Sequence, residues 1–352
     1  MEKARIRKID IARGIAMICI MLGHTGNNYI VKVVYTFHLA IFFLISGYFF
    51  KENKNDKEFI KEKIKRLLIP YFVVALFLIF IDLMKATIKN NFQIENILDW
   101  IKATLYGAGL GVQTPFGKVK NIGAIWFLLA TFWSELFLKY ILKIKNKIIQ
   151  PMVVIAIFII GYYSNKLLFY FPFSIQSGCF ALLYMYIGYH IKKFNEKYFD
   201  IINNHGLSID KKIIIIFLAL GMWLWMVINY NGFVICSLEI GNGFADIIGS
   251  LCGCYLLMLI SEFIDRKLEK ISEILSFYGK YSLLFLCIHL VELDFFGYRK
   301  LFSYITKGVA TSGGLYLTYV IIMKLIIITC LLLIATRVKL IRKIFGYKVY
   351  EK

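Results

Sequence analysis

Residues 315–335 read LYLTYVIIMKLIIITCLLLIA and contain a single charged side chain, Lys324. An apolar run of about twenty residues is long enough to cross the hydrocarbon core of a bilayer as a helix. Similar apolar runs recur along the chain at 71–83, 178–191 and 213–228. The 352 residues are 59% hydrophobic and only 18% charged, whereas about a quarter of the residues in a soluble domain are charged. The sequence therefore predicts an all-α, polytopic membrane helix bundle.

The distribution of basic residues predicts how the chain is threaded through the bilayer. Ten segments fit membrane spans: 9–25, 33–50, 67–84, 122–142, 149–165, 174–191, 211–230, 242–262, 280–297 and 313–336. With a cytoplasmic amino terminus, the inner segments carry 30 Lys and Arg residues and the outer segments carry 10, where the inner segments 139–148, 192–212 and 265–280 overlap the ends of the spans. Because basic residues concentrate in cytoplasmic loops, we predict about ten transmembrane helices in the inner (plasma) membrane, with both termini in the cytoplasm. Residues 1–352 are predicted to form a single membrane domain with no soluble domain.

Charge and cysteine content exclude other classes of protein. The net charge of +20 lies mostly in short loops between apolar runs, which indicates contact with anionic membrane lipids and not with nucleic acid. Seven cysteines lie mainly inside apolar runs and form no CxxC pair, so small packing residues are favoured over metal ligands or disulfides. No metal is predicted, and the basic amino terminus is interpreted as leading into a retained first helix.

The first span carries three polar residues on one face. Arg13 and His24 are eleven residues apart, which brings them to within about 20° of the same direction and separates them by roughly 16 Å along the axis. Asp10 lies one turn before Arg13 and can pair with it. Ionisable groups inside a membrane are rare and usually functional. The alternative is an interfacial Asp–Arg pair with a histidine that only caps the outer end of the helix.

Other polar residues within the predicted spans allow two interpretations each. His38 lies at a depth similar to that of His24 and could meet it, or could bond to a loop carbonyl. Ser46 begins a Ser-Gly pair that permits close helix packing. Trp126 fits either a sugar-binding platform or an interfacial, lipid-facing position. His289 and Glu292 lie near one face of a span and fit either a functional site or a structural hydrogen bond between helices.

Two further features of the sequence are basic. Lys324 has no acidic neighbour within its own span, so a contact with a bound substrate, a carboxylate on another helix and a misplaced span all remain open. Residues 51–66, KENKNDKEFIKEKIKR, form a basic cytoplasmic segment that ends in Lys65 and Arg66 at the membrane edge. It fits a lipid-headgroup anchor or a site for a phosphorylated cytoplasmic ligand.

Several of these segments together resemble a known family, the family-3 membrane acyltransferases, and in particular its fucose-4-O-acetylase-like branch of polysaccharide O-acetyltransferases. The resemblance runs through nearly the whole chain in the family's order. The segments that carry it are D-x-x-R-G at 10–14, Arg13-x10-His24, FHLAIFFLISGY at 37–48, RLLIPY at 66–71, IWFLLATFW at 125–133, YIGYHIKK at 186–193 and GKYSLLFLCIH at 279–289.

The resemblance implies an enzyme that transfers an acyl group, usually acetyl, from cytoplasmic acyl-CoA to a carbohydrate hydroxyl. The acceptor would be a surface polysaccharide or a lipid-linked sugar, and acetyl-CoA would be the co-substrate. It implies that Arg13 and His24 are essential, with His24 as the catalytic residue, and that the basic segment with Lys65 and Arg66 contacts the donor. The chain departs from the family pattern at Glu62, where a second arginine is common, and at Ala40, where proline is usual.

The residues themselves suit such a reaction, because acyl transfer to a hydroxyl needs a base and an imidazole titrates near neutrality. His24 is predicted to be the base, with His38 as its partner or a substrate ligand. Arg13, paired with Asp10, is predicted to hold the donor or orient the site. The acyl arm is expected to follow a tunnel from Arg66 past Arg13 to His24. A transporter or flippase for a glycan or lipid-linked intermediate is the alternative, and a scaffold subunit of a polysaccharide synthase is a third.

Overall fold

Helices make up most of the residues that the computed structural model describes, which are 6–52, 55–90, 93–197, 208–306 and 313–347. In chain order they are α1 (Arg7–Gly23), α2 (Asn28–Val34), α3 (Ala40–Tyr48), α4 (Asp56–Lys63), α5 (Ile69–Ile88), α6 (Ile94–Tyr106), α7 (Trp126–Ile141), α8 (Ile149–Leu167), α9 (Ile175–Lys197), α10 (Ile209–Ile228), α11 (Phe244–Lys267), α12 (Glu269–Lys280), α13 (Ser282–Phe295), α14 (Tyr298–Ile305), α15 (Gly314–Ala335) and α16 (Lys339–Ile344).

Short irregular elements interrupt the helices. A π-helical turn, Ile64–Leu68, joins α4 to α5, and a 3-10 turn precedes α9. Strand β1 (Val112–Thr114) pairs antiparallel with β2 (Gly117–Val119), and β3 (Phe233–Val234) pairs antiparallel with β4 (Glu239–Ile240). These two hairpins are a small departure from the predicted all-α class.

A helix overlaps each of the ten predicted spans, but fewer helices meet the requirements for crossing a membrane. Among the described residues, the helices long and apolar enough are Asp56–Ile88, Ile209–Ile228, Phe244–Lys267 and Gly314–Ala335. The pair α12 and α13 makes a possible fifth, bent by 79°. The structure thus confirms a helical membrane protein and does not confirm about ten spans. The predicted cytoplasmic ends, residues 1–5 and 348–352, lie outside the described residues.

The predicted second span, 33–50, is broken in the structure. Helix α2 ends at Val34 and α3 begins at Ala40, so His38 lies in a connecting turn and not inside a continuous helix. In this turn the Thr36 hydroxyl donates to the carbonyl of Val33 at 2.6 Å. The His38 ring bonds to the carbonyl of Val34 at 2.7 Å. Side chains that bond to nearby carbonyls compete with the regular helical pattern.

Helix α10 shows how the chain faces lipid. Only 11% of its most apolar window is buried inside the protein. A helix that is apolar around its circumference and unburied requires an apolar solvent. Its exposed apolar side chains are Ile209, Ile213, Ile214, Ile215, Phe217, Leu218, Leu224, Trp225 and Ile228.

The chain divides into two compact units, Met1–His38 with Ile260–Lys352, and Leu39–Leu259. We call them unit 1 and unit 2. The predicted single membrane domain of residues 1–352 stays a prediction.

In unit 1, α1 packs closely against α12 through two glycines. A Cβ atom on Gly14 would lie 2.0 Å from the carbonyl oxygen of Leu275, and one on Gly279 would lie 1.7 Å from the carbonyl oxygen of Asp10. Only glycine permits backbones to approach this closely. After α12 the chain bends by 79° near Tyr281, and α13 then packs against both α1 and α15.

Unit 2 is organised around α9, which packs against α3, α7 and α8. Glycines again allow the closest contact. A Cβ on Gly47 would lie 1.9 Å from the carbonyl oxygen of Met185, and one on Gly188 would lie 2.0 Å from that of Leu44. The close-packing interpretation of the Ser46-Gly47 pair is therefore confirmed for Gly47, while Ser46 itself is half-buried.

Candidate active site

Four polar side chains of unit 1 form a continuous hydrogen-bonded chain, which we call the relay. The ammonium of Lys324 lies 2.9 Å and 3.3 Å from the two carboxylate oxygens of Glu292. Oε2 of Glu292 lies 2.9 Å from Nδ1 of His289. Nε2 of His289 lies 3.3 Å from Nδ1 of His24. The relay therefore connects a buried ion pair to an imidazole at the end of α1.

The four residues of the relay differ in how deeply they are buried. Glu292 and His289 are 0% exposed and Lys324 is 2% exposed, while His24 is exposed. Charged groups inside a membrane protein are costly unless they are paired, which explains the close contact between Lys324 and Glu292. The exposed position of His24 makes it the member of the relay that a substrate can reach.

The local folding of three helices places these side chains. His289 and Glu292 are three residues apart on α13 and so share one face of that helix. Lys324 projects from α15 and also lies 4.8 Å from the ring centroid of Tyr298. His24 follows the last residue of α1 as its C-cap. The bend between α12 and α13 directs α13 back toward this end of α1.

The hydrogen bonds determine which nitrogen of His24 carries its proton. Nδ1 of His24 lies 2.8 Å from the carbonyl oxygen of Ile20. A carbonyl oxygen can only accept, so Nδ1 of the neutral ring must donate. Nε2 of His289 then accepts from the same N–H, and Nδ1 of His289 donates to Glu292. These proton positions are inferred from the hydrogen-bond network. They leave a free lone pair on Nε2 of His24.

Arg13 lies in the first half of α1, eleven residues before His24. Its guanidinium lies 3.9 Å from the carboxylate of Asp10, which is buried, while Arg13 is half-buried. The predicted pairing of Asp10 with Arg13 is therefore present in the structure. The predicted roles of the two residues stay predictions.

His38 does not join the relay. Among the described residues no hydrogen bond links it to His24, and the ring that meets His24 is that of His289, with centroids 5.2 Å apart. His38 is buried, and its ring packs 4.9 Å from Tyr35. A Cβ on Gly23 would lie 2.7 Å from Tyr35, so this glycine admits the tyrosine beside the end of α1. Nδ1 of His38 donates to a carbonyl, as in His24, so its Nε2 also keeps a lone pair.

The predicted residues of unit 2 have different surroundings. Trp126 is buried, which contradicts its interpretation as an interfacial or lipid-facing residue. Its ring packs beside Gly109, where a Cβ would lie only 2.5 Å from the indole. Lys65 and Arg66 are exposed and lie in the π-helical turn, an element frequent at functional sites.

A buried basic cluster beside this turn was missed by the sequence analysis. The ammonium of Lys63 lies 2.7 Å from the carboxylate of Glu135, and both side chains are buried. Lys139 is also buried and lies 3.3 Å from the carboxylate of Asp56. Both ammonium groups lie about 5 Å from the ring of Phe59, at 5.1 Å and 4.9 Å. An acidic residue inside an apolar span, Glu135, was the signal that could have indicated a basic partner.

Glu52, an acidic residue of unit 2 outside the predicted spans, has a pKa that its neighbours lower. The hydroxyl of Tyr189 donates to Glu52, and Lys193 lies 3.0 Å from the same carboxylate. These contacts hold the pKa of Glu52 below its usual value, with the tyrosine bond as the largest cause.

Within the described ranges, no group of three His, Cys, Asp or Glu side chains could hold a metal ion.

The fold and the relay together define a helical membrane protein in which an exposed imidazole ends a chain of buried, hydrogen-bonded polar side chains. A sequence model of the family-3 acyltransferase domain matches residues 6–336. The chain belongs to this family and is a membrane acyltransferase, which favours an enzyme over a transporter or a scaffold. Comparisons with curated proteins and with solved structures give no match.

Proposed function

We propose that the protein is an O-acetyltransferase that moves an acetyl group from acetyl-CoA to a hydroxyl of a cell-surface polysaccharide or a lipid-linked sugar. The observation that supports this proposal most directly is the contact between Nδ1 of His24 and the Ile20 carbonyl at 2.8 Å, from which we infer a free lone pair on Nε2. A hydroxyl is a poor nucleophile until a base removes its proton, and a positioned imidazole increases the rate by about 10²–10⁴-fold.

The proposed reaction is a direct transfer with His24 as general base. Nε2 of His24 takes the proton of the sugar hydroxyl while the hydroxyl oxygen forms a bond to the acetyl carbon. The carbon–sulfur bond of the thioester then breaks, and the thiolate of coenzyme A takes the proton from His24. The products are an acetyl ester and free coenzyme A, and the enzyme returns to its initial state.

The relay stabilises the charge that His24 acquires during this step. When Nε2 is protonated, His24 becomes an imidazolium whose Nδ1–H still points at Ile20 and His289. His289 donates its own Nδ1–H to the Glu292 carboxylate, which makes its Nε2 a better acceptor for His24, while the ammonium of Lys324 offsets the charge of that carboxylate. Hydrogen bonds to charged groups are worth about 1.5–3 kcal/mol, roughly twice the value for neutral pairs.

His38 is proposed to be a partner of His24 or a ligand of the acceptor, and because its side chain is buried an acceptor would meet it only inside the protein. Its Nε2 carries a lone pair and therefore accepts a hydrogen bond, which suits a sugar hydroxyl and not a developing oxyanion. Trp126, because it is buried, is proposed to support the fold more than to stack on a sugar.

The donor is proposed to bind through the exposed cations of the π-helical turn. Lys65 and Arg66 can pair with the phosphates of coenzyme A, for which a guanidinium offers two parallel donors. Replacing both residues by alanine is expected to raise KM for acetyl-CoA with a smaller effect on kcat. Lys57→Ala, an exposed lysine of α4, is the matched control and should leave KM unchanged.

Arg13, with Asp10, is proposed to orient the polar arm of the donor, since a guanidinium stays protonated and cannot act as a base. A path for the acyl arm from Arg66 past Arg13 to His24 stays a prediction. The protein is proposed to lie in the inner (plasma) membrane with both termini in the cytoplasm, among anionic lipids that the basic loops attract.

The proposed function is tested by mass analysis of surface glycans from cells that carry the wild-type gene, no gene or the His24→Ala variant. We expect a mass increase of one acetyl group per modified sugar in the wild-type cells alone. His190→Ala, which changes an exposed histidine of α9, is the control and should restore acetylation. Unmodified glycans in wild-type cells, or full acetylation with His24→Ala, would contradict the proposal.

A further inference from the structure

Helix α4 is held against α7 by charged contacts at both of its ends. Its inward face carries Asp56, Phe59 and Lys63, which are three and four residues apart and therefore lie on one side of the helix. The ammonium of Lys63 lies 2.7 Å from the carboxylate of Glu135 on α7. At the other end of α4, the carboxylate of Asp56 lies 3.3 Å from the ammonium of Lys139, also on α7. These contacts fix how α4 sits on α7.

The contact between Lys63 and Glu135 is the most deeply buried of these, because both of its side chains are buried. Two charges are costly to remove from water, and an apolar pair of similar volume is often as stable as a buried ion pair or more so. Stability therefore does not explain why a lysine meets a glutamate here. A charged pair can instead fix the register of two helices, since each charge accepts only one kind of partner.

The segment that this pair holds is the π-helical turn, which begins directly after Lys63. Helix α7 also packs against the turn itself. Beyond the turn, Tyr71 is buried and its hydroxyl donates to a backbone carbonyl of α6 at 2.7 Å. Buried polar contacts therefore fasten the chain on both sides of the turn. Between them, Lys65 and Arg66 are exposed.

We propose that Glu135 is a positioning residue for the acyl donor, which acts through Lys63 to fix the direction of the exposed cations in the π-helical turn. The inference rests on the function proposed above, in which Lys65 and Arg66 bind the phosphates of acetyl-CoA. Glu135 is buried and does not touch the donor itself. A guanidinium binds a phosphate best through two parallel bonds, so a change in its direction weakens that contact. A loss of binding that is equal in the ground state and the transition state raises KM and leaves kcat unchanged.

The experiment compares two double variants of the full-length protein in lipid. Lys63→Met with Glu135→Met replaces the buried pair by two apolar side chains. Lys57→Met with Glu58→Met removes the same two charges from the exposed side of α4 and is the matched control. Both variants keep the net charge of the wild type, so the overall attraction for an anionic donor is the same. The readouts are KM for acetyl-CoA, kcat for labelled acetyl transfer and the unfolding temperature.

We expect the variant without the buried pair to unfold near the wild-type temperature and to raise KM for acetyl-CoA by about 10-fold, the effect of losing one hydrogen bond to a charged group. Its kcat should stay close to the wild-type value. The control should match the wild type in all three readouts. Lys63→Arg keeps the cation beside Glu135 and should largely preserve KM. A merely structural pair would leave KM unchanged in a variant that is folded.

A folded Lys63→Met, Glu135→Met variant with the wild-type KM, or with a loss confined to kcat, would overturn the proposal. If this variant does not fold, Lys63→Gln with Glu135→Gln is measured instead. A glutamine side chain is one atom shorter than that of lysine, so the contact is lost while both positions stay polar and uncharged. KM should rise in the same way, and an unchanged KM would again overturn the proposal. If neither variant folds, the pair serves the fold itself and the proposal is wrong.

Lys65→Ala with Arg66→Ala separates failure of this inference from failure of the proposed function. If that variant keeps the wild-type KM, the donor does not bind at the turn and the role of Glu135 is wrong with it. If that variant raises KM while the loss of the buried pair does not, the donor site is correct and only the role of Glu135 is wrong. A wild-type protein that transfers no acetyl group would contradict the proposed function itself.

Discussion

Replacing His289 tests how much the relay contributes to the activity of the proposed base. The Nδ1–H of His24 has two acceptors, the Ile20 carbonyl at 2.8 Å and Nε2 of His289 at 3.3 Å. In His289→Phe the carbonyl remains and still holds the proton on Nδ1. The variant loses one hydrogen bond to the imidazolium, which is worth about 1.5–3 kcal/mol. At about 1.36 kcal/mol per decade, kcat should fall by roughly 10- to 150-fold.

The assay is the initial rate of labelled acetyl transfer in proteoliposomes, with thermal unfolding measured on the same preparation. His289→Gln is the paired variant, because the carboxamide oxygen of glutamine can accept from His24 near the position of Nε2. We expect His289→Gln to retain more activity than His289→Phe. The reasoning is refuted if His289→Phe keeps the wild-type kcat, or if the two variants lose activity equally while both remain folded.

Three further predictions concern stability. Gly279→Ala should destabilise unit 1 by about 1–3 kcal/mol through overpacking, because its Cβ would lie 1.7 Å from a backbone oxygen; an unchanged unfolding temperature would contradict this. Lys63→Met should cost about 3–5 kcal/mol by leaving Glu135 buried and unpaired, and the double variant Lys63→Met with Glu135→Met should recover stability in the same unfolding assay. The lowered pKa of Glu52, caused first by the Tyr189 hydroxyl, contributes stability above the unfolded pKa that is lost as the pH falls through the folded value; Glu52→Gln should therefore flatten the acid side of a stability–pH curve, and an unchanged curve would refute the contribution.

The sequence indicated which side chains belong to the candidate site, but it did not indicate which of them contact one another. His24, His289 and Glu292 could be selected because ionisable side chains are rare in apolar spans. Their connection could not be predicted, since it depends on the 79° bend between α12 and α13. Lys324 could not be assigned because its partner is 32 residues away on another helix.

Helix continuity was the other point that periodicity could not predict. The apolar pattern of residues 33–50 fits one span, but side-chain bonds from Thr36 and His38 to backbone carbonyls accompany a break in the helix. The pairing expected between His24 and His38 assumed two regular antiparallel helices. With the helix broken, the ring that meets His24 is that of His289.

The central claim is that Nε2 of His24 is the base, and His24→Asn tests it most directly. The asparagine amide can still donate to the Ile20 carbonyl in place of Nδ1–H, but it offers no lone pair at the position of Nε2. The measurement is kcat for labelled acetyl transfer in proteoliposomes, compared with wild type and with His190→Asn as the control. We predict a loss of at least about 100-fold in His24→Asn with an unchanged unfolding temperature and no loss in the control. A folded His24→Asn variant that transfers acetyl groups at the wild-type rate would contradict the account.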